Sequence, residues 1–340
     1  MNSNILPIRH NVSDELHFII QHAPAMVGMG CGGCDVLNEM IPSLQQLGYH
    51  VSGTRLGQCP DVREIERTVP LNRTLVIVHP EIMAMNCSYL FPNRSTVTVR
   101  WILAAPGVNS APLSELNYHR DDFIFSYGPK MIEPMEHWYS NILMIVRNPY
   151  PGDETDISDD LFYNKNRSGI LWTMRKGHSF HPNITFIHEH PGIPSTNIER
   201  DPTIDVPVLL KYEYFVSYDP LTYLTFLAAM AGTVSVVYPV AGETKEQWSN
   251  NSILGPYLRA IGKTEIPGVA YGWSESEISF SRQTMHQLRP FMMDMKTWGR
   301  ETTVNRFARD CYRYKNGIRT NFEAGLLAKD AYPSFYKQGR

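Results

Sequence analysis

Residues 16–55 hold, in direct succession, an apolar run, a glycine-rich turn, an amphipathic helix and a second apolar run, and few folds accommodate that order. "LHFIIQHAP" reads as a short buried strand ending in a loop. In "CDVLNEMIPSLQQLGYHV" the residues Val36, Leu37, Met40, Ile41, Leu44 and Leu47 recur every three or four positions, the spacing of one helix face, and Gly48 supplies the stop. Pro42 falls inside that helix and is expected to kink or break it. With "YHVSGTRL" as the second strand, the segment makes one β-α-β unit, and such units build parallel sheets covered by helices on both faces.

The pattern continues along the chain. "RTLVIVHPEI" is a third buried strand, "TVTVRWILAAPG" a strand or strand-helix piece closed by Pro106 and Gly107, and "DDFIFSYGP" another short strand. Residues 148–169 are rich in Pro, Gly, Asp and Asn and mark a domain edge. Beyond it, "GILWTMRKG", "NITFIHEH", "KYEYFVSYD" and "TVSVVYP" read as strands, and "LTYLTFLAAMAG" as a helix closed by Gly232. A long helical stretch from Ser276 to Gly317 is expected to be interrupted at Pro290, and "FEAGLLAKDAY" forms a last short helix.

A chain of 340 residues with 43% hydrophobic content has enough material for two ordinary domains, each with its own core. Its net charge of -3 gives no general attraction to nucleic acid or to an anionic membrane, so any phosphate contact must be local. The first residues lack the pattern of a signal peptide and no long apolar run is present, which predicts a soluble, cytoplasmic protein without a transmembrane segment. Five cysteines are few and odd in number, an argument against a disulfide framework. On that reading the seven N-x-[S/T] sequons, at Asn11, Asn72, Asn86, Asn93, Asn166, Asn183 and Asn250, are incidental.

Two signatures overlap in "GMGCGGC". Gly28, Gly30 and Gly33 spell G-x-G-x-x-G, the dinucleotide fingerprint, while Cys31 and Cys34 spell C-x-x-C. A dinucleotide site also needs an acid at the end of the second strand for the ribose hydroxyls; here "SGTRLG" offers only Arg55, which suits a 2′-phosphate. A zinc site on the two cysteines would need distant histidines. Gly30, Gly32 and Gly33 have a more general use, because backbone N–H groups at such a turn approach a phosphate or sugar with no side chain between.

The second half carries two further phosphate-suited pieces. "TMRKGHS" places Arg175, Lys176 and Gly177 at a strand end, a planar fork and a point charge suited to a diphosphate. "VSYDPLTYLTFLAAMAG" places Tyr218, Asp219, Pro220 and Thr222 between a strand and a helix, with Asp219 in the position of a helix N-cap. The run "FLAAMAGTVSVVYPVAG" resembles the donor-site helix and following strand of GT-B glycosyltransferases, and "GCGGCDVLNEMIPSLQQLGYHV" resembles the glycine loop and first helix of their acceptor-side domain. "HPEI", "VRWILAAPG", "RKG" and "SYDP-x-T" are similar to a polysaccharide-type bacterial and viral branch of that fold. The sequence departs from many retaining members in having Ala228 where they carry a ribose-binding glutamate.

The resemblance implies an α/β chain with two Rossmann-like domains facing a cleft: an acceptor-side domain over 1–155, a nucleotide-sugar domain over 156–320, and a final helix over 321–340 crossing back to the first domain. It also implies transfer of a sugar from a nucleotide-sugar donor to a hydroxyl of a glycan acceptor, without a cofactor or metal. Arg175 and Lys176 would neutralise the departing diphosphate, with Tyr218, Asp219, Thr222 and His190 also on the donor; His188 accompanies His190 in "FIHEH". An inverting enzyme needs a general base in the first domain, and His22 and Glu81, each just past a strand, are the candidates. The paired acids Asp121-Asp122 and Asp159-Asp160 make no D-x-D metal motif and read as solvated surface. The alternatives are an NADP-dependent oxidoreductase using the glycine loop, and a nucleotide-sugar or glycan-binding module without catalysis.

Overall fold

The computed structural model of the chain describes residues 12–22, 32–80, 85–103, 122–127, 139–142, 162–164, 166–174, 177, 181, 195–197 and 206–317. They form an α/β structure with two all-parallel sheets. The first has six strands in the order β2-β1-β3-β4-β5-β6, where β1 is Leu16–His22, β2 His50–Arg55, β3 Thr74–Pro80, β4 Thr96–Ile102, β5 Phe123–Ser126 and β6 Tyr139–Ile142. The second has five in the order β11-β10-β9-β7-β8, where β7 is Ile170–Thr173, β8 Ser195–Asn197, β9 Tyr214–Ser217, β10 Val234–Val237 and β11 Val269–Tyr271. The edge read at 148–169 falls between the two sheets in sequence, and 148–161 lie outside the described residues.

The apolar runs become strands buried on both faces, as a helix-covered parallel sheet requires. Phe18, Ile20, Val76, Val78, Val97 and Val99 face one layer, which receives Val36, Leu37, Met40 and Leu44 from helix α2 (Gly32–Gln46). Ile19, Leu75 and Ile77 face the other, against Ile65 and Val69, contributed by helix α3 (Val62–Thr68) and the residue after it. Helix α2 starts at Gly32, so Gly32 and Gly33 belong to its first turn rather than to a loop before it, and it runs through Pro42 without a break. It stops as expected: Gly48 has φ +85°, and the N–H of Tyr49 donates to the Leu44 carbonyl at 3.0 Å.

In the second sheet, helix α5 (Leu224–Met230) packs between strands β9 and β10 and helix α8 (Glu275–Trp298). Gly232 at φ +78° turns the chain out of α5, and a Cβ there would lie 2.4 Å from the Phe162 carbonyl oxygen. Pro290 does not interrupt α8. The proline is exposed, so water can reach the His286 carbonyl that its missing N–H leaves behind, while Leu288, Phe291, Met292 and Met295 on the buried side hold the helix in place.

A π-helical segment, Gly299–Val304, joins α8 to helix α9 (Asn305–Lys315), and this junction carries the chain back to the first sheet. Phe307 packs edge-on to Phe125 at 4.6 Å and against Phe18 at 5.6 Å, and Tyr314 stacks on Phe123 at 4.5 Å. Lys296 reaches Glu39 of α2 at 2.7 Å, and Lys315 reaches Glu15 at 3.0 Å. Residues 321–340, read as the final helix, lie outside the described residues.

Two further expectations are corrected. Cys59 and Cys87, 28 residues apart, form a disulfide (S–S 2.08 Å) beside the α3 layer, although their spacing shows no pair in the sequence. Asp122 is not solvated surface: it is 4% exposed at the start of β5 and receives Arg100 Nε at 2.8 Å.

Candidate functional site

In a parallel sheet every strand ends at the same edge, and the loops there are free to gather ligand-binding groups. At that edge of the second sheet, β9 ends at Ser217 and runs into Tyr218, Asp219 and Pro220. The Ser217 hydroxyl donates to the Asp219 carbonyl at 2.8 Å, and Asp219 Oδ1 accepts the N–H of Leu221 at 3.0 Å. Asp219 therefore fixes a tight turn and does not cap the helix, which starts only at Leu224, after Tyr223. Thr222 sits within this turn, its Oγ1 accepting the N–H of Leu224 at 3.4 Å.

The turn is held from three sides. The β7 end bonds it directly, through the Tyr218 N–H and the Thr173 carbonyl at 3.0 Å. Gly177 lies so close to it that a Cβ there would be 2.4 Å from the Tyr218 carbonyl oxygen. Trp248, fully buried in helix α6 (Lys245–Asn251), donates its Nε1 hydrogen to the Pro220 carbonyl at 2.9 Å and stacks on Tyr271. Tyr271 in turn donates its hydroxyl to the Glu243 carbonyl at 3.0 Å and accepts the Val240 N–H, so the β10 and β11 ends are tied together. Burial, with the Glu243 charge beside it, pushes the Tyr271 hydroxyl well above its ordinary range.

Tyr218 is completely buried, its ring between Trp172 and Tyr238 at 6.1 and 5.1 Å, so it forms the wall of the site. His181 closes the row, 7% exposed and edge-on to Tyr238 at 4.9 Å. Burial holds its imidazole below the usual histidine range, against a hydrogen bond to the Tyr218 backbone that favours the charged form.

On the first sheet His22 is the last residue of β1, half-buried, with its ring over Gly53 of β2: a Cβ at Gly53 would meet His22 Cδ2 and Nε2 at 2.7 Å. Of the other residues singled out in the sequence, Gly30, Glu81, Arg175, Lys176, His188 and His190 lie outside the described residues. Ala228 is buried within α5. Among the described residues, no three His, Cys, Asp or Glu side chains converge to hold a metal, and no helix is long and apolar enough to cross a membrane.

Of the segments read separately as "RKG" and "SYDP-x-T", the structure brings Gly177 of the first against the Tyr218 backbone of the second. Sequence reasoning missed His181, Glu243 and Trp248. Glu243, 7% exposed and bonded to Asn251 through Oε1 at 3.0 Å, is a buried carboxylate directly after the Gly242 turn (φ +78°), a turn that the "VAGET" string signals. His181 and Trp248 carry no such local signal, since only tertiary contact places them here. Comparison with protein-family models gives no match, and neither does comparison with curated proteins.

Gly177→Ala is expected to displace the Tyr218–Asp219 turn, because both the Tyr218 carbonyl oxygen and its carbon stand in the way, at 2.4 and 2.7 Å. A loss of roughly 1–3 kcal/mol in a urea titration is the expected cost of that overpacking. An unchanged midpoint would mean that Gly177 is not seated against Tyr218.

Proposed function

We propose that the chain is a glycosyltransferase of GT-B type, with two Rossmann-like halves, moving a sugar from a nucleotide-sugar donor to a hydroxyl of a glycan acceptor without a metal. The observation that carries this reading is the seat of Gly177, which follows Arg175 and Lys176 in the sequence, against the Tyr218 backbone of the Tyr218–Asp219 turn. A cationic pair adjoining Gly177 in the sequence, together with the carboxylate of Asp219, suits a donor with both an anionic diphosphate and hydroxyl-bearing sugars, since cations take the diphosphate and a carboxylate accepts from hydroxyls. Two parallel sheets joined by a returning helical junction agree with a donor half and an acceptor half.

In this reading Arg175 and Lys176 neutralise the charge that grows on the leaving diphosphate as the anomeric carbon–oxygen bond breaks. The acceptor hydroxyl forms the new bond to that carbon and releases its proton to a base at the strand ends of the first sheet, for which His22 and Glu81 are the candidates. Asp219, with Thr222 and His190, orients the donor.

The test is a thermal-shift and hydrolysis screen against UDP-, GDP-, dTDP- and CMP-sugars, with NADP as control, using the wild type, Arg175→Ala and Asp219→Asn. One nucleotide family should raise the melting temperature and release free sugar slowly, and Arg175→Ala should lower affinity at least tenfold, the equivalent of about 1.4 kcal/mol for one charge-assisted contact. Stabilisation by NADP alone would point to an oxidoreductase. Binding without turnover in the presence of any acceptor would leave a binding module.

A further inference from the structure

The sequons, set aside above, distribute over the structure in a way that the proposed transfer chemistry does not explain. Seven is more than the about two or three that the chain's content of Asn, Ser and Thr would give by chance. Asn72, Asn93 and Asn166 are all exposed, and all lie in turns immediately before a strand, at the starts of β3, β4 and β7. That is the edge opposite the strand ends holding Asp219 and His22.

Two of them share the string N-R-S and the same construction. In each the central arginine is buried and ties the turn inward while Asn and Ser flank it outward, exposed. Arg94 donates to the carbonyls of Val69 at 3.0 Å and Arg73 at 3.3 Å. Arg167 donates to the Ala231 carbonyl at 2.8 Å and to Thr233 Oγ1 at 2.9 Å.

Two other sequons are built shut. Asn86 Oδ1 accepts from the N–H and hydroxyl of Ser88 and from the Thr98 hydroxyl, at 2.9, 2.7 and 3.1 Å. Asn250 lies inside α6, and its Ser252 is buried with its hydroxyl donated to the Ser249 carbonyl at 2.7 Å. At Asn72 the turn is open but Thr74 is sealed in β3.

The Cys59–Cys87 disulfide is the independent observation. Such bonds persist in oxidising compartments, which in cells that glycosylate asparagine are also where the glycan is added. We propose that Asn93 and Asn166 carry N-linked glycans on a chain that matures in an oxidising compartment. In the modification the side-chain Nδ2 bonds to the anomeric carbon of an oligosaccharide carried on a lipid diphosphate. The bond from that carbon to the diphosphate oxygen breaks, the lipid diphosphate leaves, and the amide nitrogen gives up one proton. The disulfide forms by exchange with the disulfide of a thiol oxidase, which takes the two electrons and two protons. Glycans on this edge leave the opposite edge open to ligands.

The test uses the full chain isolated from its own cells and treated with peptide N-glycosidase in ¹⁸O water, followed by peptide mapping. Positions 93 and 166 should be recovered as labelled aspartate and positions 86 and 250 as unlabelled asparagine. Asn93→Gln and Asn166→Gln should each remove one glycosidase-sensitive form and leave the nucleotide-dependent thermal shift unchanged, which separates this proposal from the transferase reading. Unlabelled asparagine at both 93 and 166, labelling at 86 or 250, or recovery of Cys59 and Cys87 as free thiols would overturn it.

Discussion

Arg100→Met is expected to cost about 3–5 kcal/mol of stability, the usual loss when one partner of a buried ion pair is removed. Arg100 is 1% exposed in the centre of β4, and its Nε holds Asp122 at 2.8 Å while its Nη1 donates to the Met85 carbonyl at 2.8 Å. Methionine keeps much of the stem but leaves the Asp122 carboxylate buried without its counter-charge and the Met85 carbonyl without this donor. The double variant Arg100→Met with Asp122→Leu removes both charges, and should recover much of the loss, because an apolar pair of similar volume needs no desolvated charge to be balanced. Urea midpoints of the three proteins decide it: a single variant within about 1 kcal/mol of the wild type would mean that the pair is solvated.

The second large effect is acid sensitivity from two buried histidines. His79, paired in register with Arg100 on β4, is fully buried, and neither ring nitrogen has a partner among the described residues. Burial, with Arg100 adding to it, pushes its pKa down to about 3. His17 is pushed down to about 4 by burial and by the charges of His50, Arg73 and Arg94, while its Nε2 pairs with the Ser52 hydroxyl at 2.7 Å. Both folded values lie below the unfolded 6.5, so the unfolded chain binds more protons between these limits. The stability is complete above pH 6.5 and is lost as pH falls toward about 4 for His17 and about 3 for His79. At about 1.4 kcal/mol per pKa unit the combined effect amounts to several kcal/mol. Urea midpoints should fall steeply between pH 7 and pH 5, and the double variant His17→Gln with His79→Leu should flatten that slope. A slope unchanged by the double variant would assign the acid sensitivity to other groups.

Much of the architecture was legible because it rests on local signals. The apolar runs of β1, β3, β4 and β10 declare strands covered on both faces, and the three- and four-residue spacing from Val36 to Leu47 declares α2 with its stop at Gly48. Pro290 misled because local sequence does not say which side of a helix faces water; an exposed proline loses one hydrogen bond to solvent and the buried side keeps the helix. The N-cap assigned to Asp219 failed for a related reason. A carboxylate bonds equally well to the N–H of a tight turn, and Ser217 on the preceding strand selects that turn.

The candidate site was legible in pieces. "RKG" and "SYDP-x-T" each stood out by residue type, yet their meeting depends on the pairing of β7 with β9, a contact between segments some forty residues apart. Trp248, His181 and the Cys59–Cys87 bond depend on the same kind of long-range closure. The sequence by itself determined the alternation of strand and helix, and hence parallel sheets with their strand ends at a common edge, because hydrophobic periodicity and glycine stops act over a few residues. Only the tertiary structure decided which loops share that edge, that Arg100 and Asp122 are sealed together, and which asparagines face solvent, because burial and pairing are properties of neighbours that the chain brings together only when the sheets close.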